Sequence, residues 1–239
     1  MYLLKVAYLG WLFHGSQIQP RVKTVEGELE SALREIGIPG GRFLSRTDAG
    51  VSALGNVFVV EEKPSKIGLL NHRLEGIAVW GVTEVERVPA VQCRIYRYYL
   101  IGDYPEEEVM KLKKFEGEHD FSGFTKERKA TFSKIDNIDI RKFDFGYVID
   151  FKAKRFLWNQ IRRIVGTIMG RTAPPEPLIL LDIIFEEEPA WKIYPRFLEK
   201  FGKRWKEKMA EALVCREMGR KAAHHHSGPA RAPHPSVEE

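Results

Sequence analysis

The sequence predicts a protein of the α+β class, in which helices pack against antiparallel sheets. Residues 1–92 follow the order strand, helix, strand, helix, strand, which such a layered arrangement requires. Residues 93–190 add further strands rich in aromatic and β-branched residues, together with a strongly apolar helix. A chain of 239 residues that is 44% hydrophobic and 30% charged can bury a substantial core, as one large domain or as two small packed ones.

The elements of the first 92 residues follow from apolar periodicity and from turn-forming residues. Residues 2–8 alternate as a strand does, and Thr24 is typical of a helix N-cap. Apolar residues then recur at helical spacing up to Ile36, and Gly37 ends the helix. The predicted order is strand 2–8, helix 25–36, strand 57–60, helix 67–74 and strand 77–85.

The elements after residue 92 are predicted in the same way. Residues 94–100 alternate aromatic and basic side chains, so we expect a strand with tyrosines on one face and arginines on the other. The order that follows is helix 106–115, strand 147–151, helix 161–168, strand 179–185 and a basic amphipathic helix over 196–221. The apolar stripe of this last helix fits docking on the protein better than RNA binding. The histidine-containing tail at 222–239 is expected to be a disordered segment or an expression remnant that holds no metal.

The bulk composition favours a soluble protein with an anionic partner. No apolar run is long enough to cross a bilayer, and no basic, apolar signal sequence opens the chain. Cys93 and Cys215 lie in unrelated contexts and predict neither a disulfide framework nor a metal cluster. We therefore expect a cytoplasmic protein. The net charge of +5 and the pI near 9.1 suit an anionic partner such as nucleic acid.

The segment 43–60 contains the first candidate for chemistry. Arg46, Thr47 and Asp48 lie in a polar stretch with glycines, directly before an apolar, β-branched strand. Such a tight loop, positioned by a strand, can direct a carboxylate into a cleft. The alternative is a surface turn in which Asp48 bonds a nearby backbone N–H.

A second candidate lies at the start of the apolar helix that follows residue 156. Arg162 is surrounded in sequence by Ile161, Ile164 and Val165. A guanidinium buried on such a helix must find an anion, because an unpaired buried charge is costly. Asp48 is the natural partner, and the pair would keep the carboxylate ionised and fix its direction.

Several motifs, in their order along residues 2–186, resemble the TruA family of tRNA pseudouridine synthases. The most specific are Arg46-Thr-Asp-Ala-Gly-Val51, Arg94-Ile-Tyr-Arg-Tyr98, Phe156-Leu-Trp-Asn-Gln-Ile-Arg-Arg-Ile-Val-Gly166 and Thr172-Ala-Pro-Pro-Glu-Pro-Leu178. The chain departs from the family pattern at Glu26, where Gln is usual, and at Arg163, where Asn is usual. The segments after Val85 and Leu100 are also shorter than in most members.

The resemblance implies a fold of two RRM-like (ferredoxin-like) α+β halves, whose antiparallel sheets join across a central basic cleft. The halves would be residues 1–92, which carry the catalytic loop, and 93–190, followed by the basic helical segment 191–221 and the tail 222–239. The implied activity is isomerisation of uridine to pseudouridine in the anticodon stem-loop of tRNA, where members modify positions 38 to 40. The base is flipped, and neither a cofactor nor a metal is needed. Members usually act as homodimers.

The resemblance also implies roles for individual residues. Asp48 falls on the catalytic carboxylate, Arg162 on its ion-pair partner, and Tyr96 on a cleft tyrosine that stacks on uracil or relays the proton lost from C5. Residues expected to bind the substrate are Arg46, Thr47, Tyr96, Arg94, Arg97, Arg163, Lys154 and Arg155. Whether Asp48 attacks covalently or acts as a base is left open.

Three alternatives compete with this interpretation. One is a non-catalytic RNA-binding protein of the same fold, and another is a pseudouridine synthase that acts on an RNA other than tRNA. The third is a hydrolase built on His119 and Asp120. Adjacent residues rarely orient each other as a catalytic triad requires, and no Gly-x-Ser-x-Gly motif accompanies them, so we expect a structural role for this pair.

Overall fold

A computed structural model describes residues 1–125 and 131–199, together with 201–203 and 206. The chain divides into two compact units, residues 1–198 and residues 199–239. Most of the second unit lies outside the described residues, and so do most of the predicted helix 196–221 and all of the predicted tail 222–239. The first unit contains all of the strands and helices named below.

The elements of the first unit run in the following order. They are β1 (Tyr2–Tyr8), α1 (Val25–Glu35), β2 (Arg42–Phe43), β3 (Ser52–Val60), α2 (Ile67–Arg73), β4 (Ile77–Glu84), β5 (Val91–Ile101), α3 (Glu106–Met110), β6 (Gly117–Asp120), β7 (Phe132–Ile135), β8 (Asn137–Phe143), β9 (Gly146–Ala153), α4 (Gln160–Met169), β10 (Leu178–Phe185) and β11 (Lys192–Ile193). Short 3-10 helices cover Gly10–Leu12, Lys111–Phe115 and Ser122–Phe124.

The first four strands and two helices form an RRM-like half. Their chain order is β-α-β-β-α-β, and the strands lie in the spatial order β4-β1-β3-β2. Helix α1 begins as predicted, because the Oγ1 of its N-cap Thr24 accepts a hydrogen bond of 3.3 Å from the N–H of Gly27. Its apolar stripe, which includes Leu29 and Leu33, is fully buried in the core.

The second half has the same strand topology but differs in its helices and in an inserted strand pair. Strands β5, β8, β9 and β10 lie in the spatial order β10-β5-β9-β8, and α4 crosses between β9 and β10. The predicted helix 106–115 is an α-helix only as far as Met110 and continues as a 3-10 helix. A small antiparallel pair, β6 with β7, is inserted before β8.

The two halves join into one sheet through a short parallel pairing. Ser52 and Ala53 at the start of β3 pair with Ile179 and Leu180 of β10. Within the described residues this gives a nine-stranded sheet, and all of its pairings except the one between β3 and β10 are antiparallel. The predicted α+β class, with two RRM-like halves and joined antiparallel sheets, is therefore confirmed.

Two sequence expectations need correction. Strand β5 does not separate tyrosines from arginines: Arg94, Tyr96 and Tyr98 share one face, whereas Arg97 and Tyr99 share the other. Arg94 and Arg97 are three positions apart, and so are Tyr96 and Tyr99, so the period of two puts one arginine and at least one tyrosine on each face. The second correction concerns the segment predicted as basic and helical from residue 191, since its first residues form β11, which pairs with β4 of the first half.

Candidate active site

A cleft of about 990 Å³ opens where β3, β10 and β5 meet, between the two halves. Three segments supply most of its walls: the loop 44–49, residues Arg94 and Tyr96 of β5, and the turn 155–162 that leads into α4. Residues around His14 close one end. The first half of the chain thus supplies Asp48, and the second half supplies the residues of β5 and of the turn 155–162 that line the cleft with it.

The loop that carries Asp48 is fixed by backbone and side-chain contacts on both sides. Ser16 accepts a hydrogen bond of 2.8 Å from the N–H of Thr47 through its Oγ, and its own N–H donates to the Thr47 carbonyl oxygen at 3.1 Å. Gly50 follows at a φ of 84°, where a side chain would meet the ring of Pro175. The loop conformation therefore depends on a residue without a Cβ.

A buried hydrogen-bond network supports the same loop from below. Asn56, which is fully buried on β3, donates from its Nδ2 to the Ser45 carbonyl oxygen (2.8 Å) and to the Tyr8 hydroxyl (3.0 Å). The Tyr8 hydroxyl is 2.8 Å from Thr47 Oγ1. Burial raises the pKa of Tyr8 far above its usual value, so the hydroxyl stays protonated. This network fixes the backbone on both sides of Arg46.

The Asp48 carboxylate has a donor at each oxygen. The indole Nε1 of Trp158 donates to Oδ1 at 3.1 Å, and Nη1 of Arg162 lies 3.5 Å from Oδ2. About 30% of the Asp48 side chain remains exposed, so the carboxylate is accessible from the cleft. The ion pair expected from the sequence is therefore present in the geometry.

Arg162 is anchored independently of Asp48. Its Nε donates to the Ala173 carbonyl oxygen at 2.8 Å, and its Nη1 donates to Asn159 Oδ1 at 2.9 Å. Asn159 itself has a left-handed backbone, with a φ of 62°, directly before α4. The guanidinium is thus held at one orientation, with its charge directed at the carboxylate.

Tyr96 lies on the floor of the cleft. Its hydroxyl is 3.2 Å from Ser45 Oγ, and the ring packs edge-on against Phe156 with centroids 5.3 Å apart. Burial raises the pKa of Tyr96 above its usual value, which outweighs the opposite effect of the Ser45 hydrogen bond. The group is therefore a neutral hydroxyl that can donate or accept one proton.

Arg94 lines the cleft but uses its guanidinium on the protein. It donates to the Leu44 carbonyl oxygen at 3.0 Å and also to the carbonyl oxygen of Lys154. Burial lowers the pKa of Arg94 from its usual value. Arg94 thus links the loop of the first half to the turn of the second half.

The remaining predicted substrate-binding residues divide into two groups. Arg46 and Arg155 are exposed and line the cleft, and Thr47 lines it with its hydroxyl directed at Tyr8. Three others are not in the cleft lining. Arg97 binds both Asp150 oxygens on the opposite face of β5, Arg163 donates to the Gly123 and Thr125 carbonyl oxygens, and Lys154 lies 3.5 Å from Glu186.

Sequence reasoning missed four residues that build the site: Trp158, Asn159, Ser45 and Asn56. Trp158 and Asn159 lie inside the motif that drew attention to Arg162, four and three residues before it. Because helical spacing brings residues three or four apart to one side, their position was a usable signal. For Asn56, which directly precedes the predicted strand 57–60, the sequence offered no comparable signal.

The hydrolase alternative finds no support in the geometry. His119 Nε2 is 2.7 Å from the Glu116 carbonyl oxygen, and Asp120 accepts a hydrogen bond from the N–H of Ser122. Both contacts are local and lie outside the cleft, on the small β6–β7 sheet. Among the described residues, no cluster of three or more His, Cys, Asp or Glu side chains could hold a metal ion. None of the helices described has the length and apolarity that crossing a bilayer requires.

Two RRM-like halves, with an aspartate and an arginine paired in the cleft between them, define a protein of the pseudouridine synthase fold. A family model described as tRNA pseudouridine synthase matches residues 112–178. A tRNA pseudouridine synthase A from Pyrococcus horikoshii is 36% identical over 261 residues, covering 90% of this chain and 97% of that protein. Another from Thermoplasma volcanium is 36% identical over 210 residues, covering 78% and 85% respectively. The chain belongs to the tRNA pseudouridine synthase A family.

Similarity to solved structures is much weaker and adds nothing to this assignment. A crystal structure of a Cbf5-Nop10-Gar1 complex aligns with 77% of this chain and 50% of that chain, at 16% identity and a TM-score of 0.42. The family assignment therefore rests on the sequence relatives.

Proposed function

We propose that this protein converts uridine to pseudouridine in tRNA, with Asp48 as the catalytic carboxylate. One observation carries the proposal: an accessible carboxylate lies in the cleft between the two halves, with Arg162 and Trp158 at its two oxygens. A protein that only binds RNA gains nothing from an aspartate that faces phosphates. The names of the relatives supply the substrate class.

The reaction breaks the C1′–N1 bond of uridine, turns the uracil, and joins its C5 to C1′. The proton on C5 is then lost and N1 gains one, so the product is an isomer and no electrons are exchanged. Asp48 either attacks the ribose or base covalently, or removes a proton at C2′. In both cases the carboxylate must be aimed at the reacting atom, and Arg162, with its Nη1 3.5 Å from Oδ2, helps to orient it.

Tyr96 is placed by this proposal against the uracil. Its buried, neutral hydroxyl can relay the proton lost from C5 in one concerted step, in which its own O–H proton passes to Ser45 Oγ, 3.2 Å away, and a proton leaves the serine hydroxyl to water in the cleft. The Tyr96 ring is held in place by its T-shaped contact with Phe156. Its second proposed function is to stack on the base. A target uridine must leave its stack to reach this depth.

Arg46 and Arg155 are the proposed phosphate contacts. Both are exposed arginines in the cleft lining, one from each half of the chain. Contacts of this kind position RNA without reading its sequence. Selection of positions 38 to 40 of the anticodon stem-loop, a homodimeric state and a cytoplasmic location are further parts of the proposal, and they rest on the family resemblance.

The test is tritium release from tRNA transcripts that contain [5-³H]uridine, with the wild-type protein compared with Asp48→Asn. Wild type should release tritium, and Asp48→Asn should release none while it binds the transcript with unchanged affinity. No release by wild type from tRNA, rRNA or bulk RNA would leave the RNA-binding alternative. Release from rRNA alone would identify a pseudouridine synthase with another substrate. Transcripts with cytidine at positions 38 to 40 test the choice of site.

A further inference from the structure

Trp158 is a large aromatic residue of the cleft that is not there to fill the hydrophobic core. It lies on the turn between β9 and α4, and 51% of it is exposed, whereas the Phe156 ring on the same turn packs against Tyr96. An exposed tryptophan is not needed to fill the core. Its indole Nε1 nevertheless donates a hydrogen bond of 3.1 Å to Asp48 Oδ1.

The two donors contact different oxygens of the Asp48 carboxylate. Arg162 faces Oδ2, and its guanidinium is committed to the Ala173 carbonyl oxygen and to Asn159 as well. A single ion pair at 3.5 Å leaves the carboxylate free to rotate about its Cβ–Cγ bond. A second donor at Oδ1 removes that freedom, because two directed contacts define the plane of the group.

We propose that Trp158 is a positioning residue, which fixes the plane of the Asp48 carboxylate through its indole N–H. This inference rests on the proposed function. The N–H, rather than the ring, carries the effect, since the ring contributes bulk that other aromatic side chains could supply. Asn159, the next residue, fixes Arg162, so one turn of the second half sets both donors around a carboxylate from the first half.

Two substitutions separate the N–H from the ring. Trp158→Phe keeps an aromatic ring and removes the donor. Trp158→Gln removes the ring and places an amide N–H at a similar distance from the backbone. Trp191→Phe serves as the matched control, because the indole Nε1 of Trp191 donates to Glu188 Oε1 at 2.6 Å outside the cleft lining. All variants are assayed as the full chain, by tritium release from [5-³H]uridine tRNA under saturating and limiting substrate.

We expect Trp158→Phe to lower kcat about tenfold, the loss of one hydrogen bond to a charged group, with KM unchanged. Trp158→Gln should keep kcat within about twofold of wild type. A merely structural role predicts the reverse order, because glutamine leaves the larger packing defect. Wild-type kcat in Trp158→Phe, or an equal loss in both variants, would overturn the inference.

The same assays distinguish failure of this inference from failure of the proposed function. If wild type releases no tritium, the proposed function fails. If wild type is active, Asp48→Asn is inactive and Trp158→Phe matches wild type, only the role of Trp158 fails. Thermal unfolding of each variant identifies a loss of folded protein, and kcat is then expressed per folded molecule.

Discussion

Arg162 lies with its Nη1 3.5 Å from Oδ2 of Asp48, and the two residues belong to different halves of the sheet. Asp48 precedes β3, whereas Arg162 lies in the first turns of α4. Neither half contains the pair by itself. The cleft chemistry is therefore a property of the junction between the halves, and substitutions at the junction are the sharpest tests of it.

Arg162→Lys should lower kcat by roughly 30- to 100-fold, equivalent to about 2–3 kcal/mol. Lysine keeps the charge but has no fork with which to bind Ala173, Asn159 and Asp48 together. The measurement is single-turnover tritium release. Arg163→Lys, one position along α4, should leave the rate unchanged because Arg163 donates to carbonyl oxygens outside the cleft. Equal rates in wild type and Arg162→Lys would refute the role of the pair.

Asn56→Ala should reduce both the stability and the activity of the protein. The variant loses three buried hydrogen bonds, to Ser45, to Tyr8 and from the N–H of Val57, at a cost of about 2–4 kcal/mol in the free energy of unfolding. Because the bonds to Ser45 and Tyr8 support the Asp48 loop, kcat per folded molecule should fall as well. Urea denaturation and tritium release measure the two effects.

Asn71→Ala is the matched control for that substitution. Asn71 is also a buried asparagine, bonded to Ile67 and Val79, but it lies away from the cleft. We expect a similar loss of stability with an unchanged kcat. If both variants lose activity in proportion to stability, Asn56 has no specific effect on the site.

Arg94→Lys should lower kcat more than Arg97→Lys does, although the two arginines are three residues apart on β5. The Arg94 guanidinium bridges the Leu44 and Lys154 carbonyl oxygens, and a single ammonium cannot reproduce both contacts. Arg97 instead binds Asp150 on the opposite face. The measurement is kcat of both variants in the same assay. A lower kcat in Arg97→Lys than in Arg94→Lys would show that the Arg94 bridge between Leu44 and Lys154 has no role in catalysis.

The stability of the protein should fall at alkaline pH through its buried tyrosines. Burial raises the pKa of Tyr8, Tyr96 and Tyr98 in the folded state. Below the pKa of an unfolded tyrosine, about 10, all three are neutral in both states and stability is independent of them. Above about pH 10 the unfolded chain loses protons first, so stability falls by about 1.4 kcal/mol per pH unit for each tyrosine.

Urea midpoints measured across this pH range give the slope directly. Tyr98→Phe removes one of the three groups, so its slope above about pH 10 should be shallower by one tyrosine's contribution. The chain has eight tyrosines, so the difference in tyrosinate absorbance between wild type and Tyr98→Phe isolates Tyr98, and this difference should rise together with unfolding rather than before it. Ionisation of these tyrosines in the folded protein would contradict the prediction.

The sequence predicted the fold because local signals and tertiary packing agree. Thr24 caps α1 as expected, and the apolar runs at 57–60 and 179–185 lie inside β3 and β10. The arginines were harder to assign. Arg94 and Arg97 look alike in sequence, and only the pleat of β5 and the position of Asp150 decide which of them reaches the cleft.

The support of the site could not be deduced from sequence for a similar reason. Ser45, Asn56 and Tyr8 are ordinary residues, and the hydrogen bonds that give them their role join positions 11 to 51 residues apart in the chain. Their bonds to one another and to Tyr96 form only once β1, β3 and β5 belong to one sheet. Trp158 was visible within its motif, but its bond to Asp48 depends on how the two halves are docked.

The position of β10 has a consequence for the protein during its synthesis. This strand lies between β3 and β5, so the sheet is continuous only after residues 178–185 have left the ribosome. Until then the start of β3, at Ser52 and Ala53, presents an open edge, which is prone to pairing with other chains. Asp48 likewise has no fixed partner from α4. A chain that ends before β10 therefore has an incomplete cleft, whose lining includes Leu178, and we expect it to be inactive.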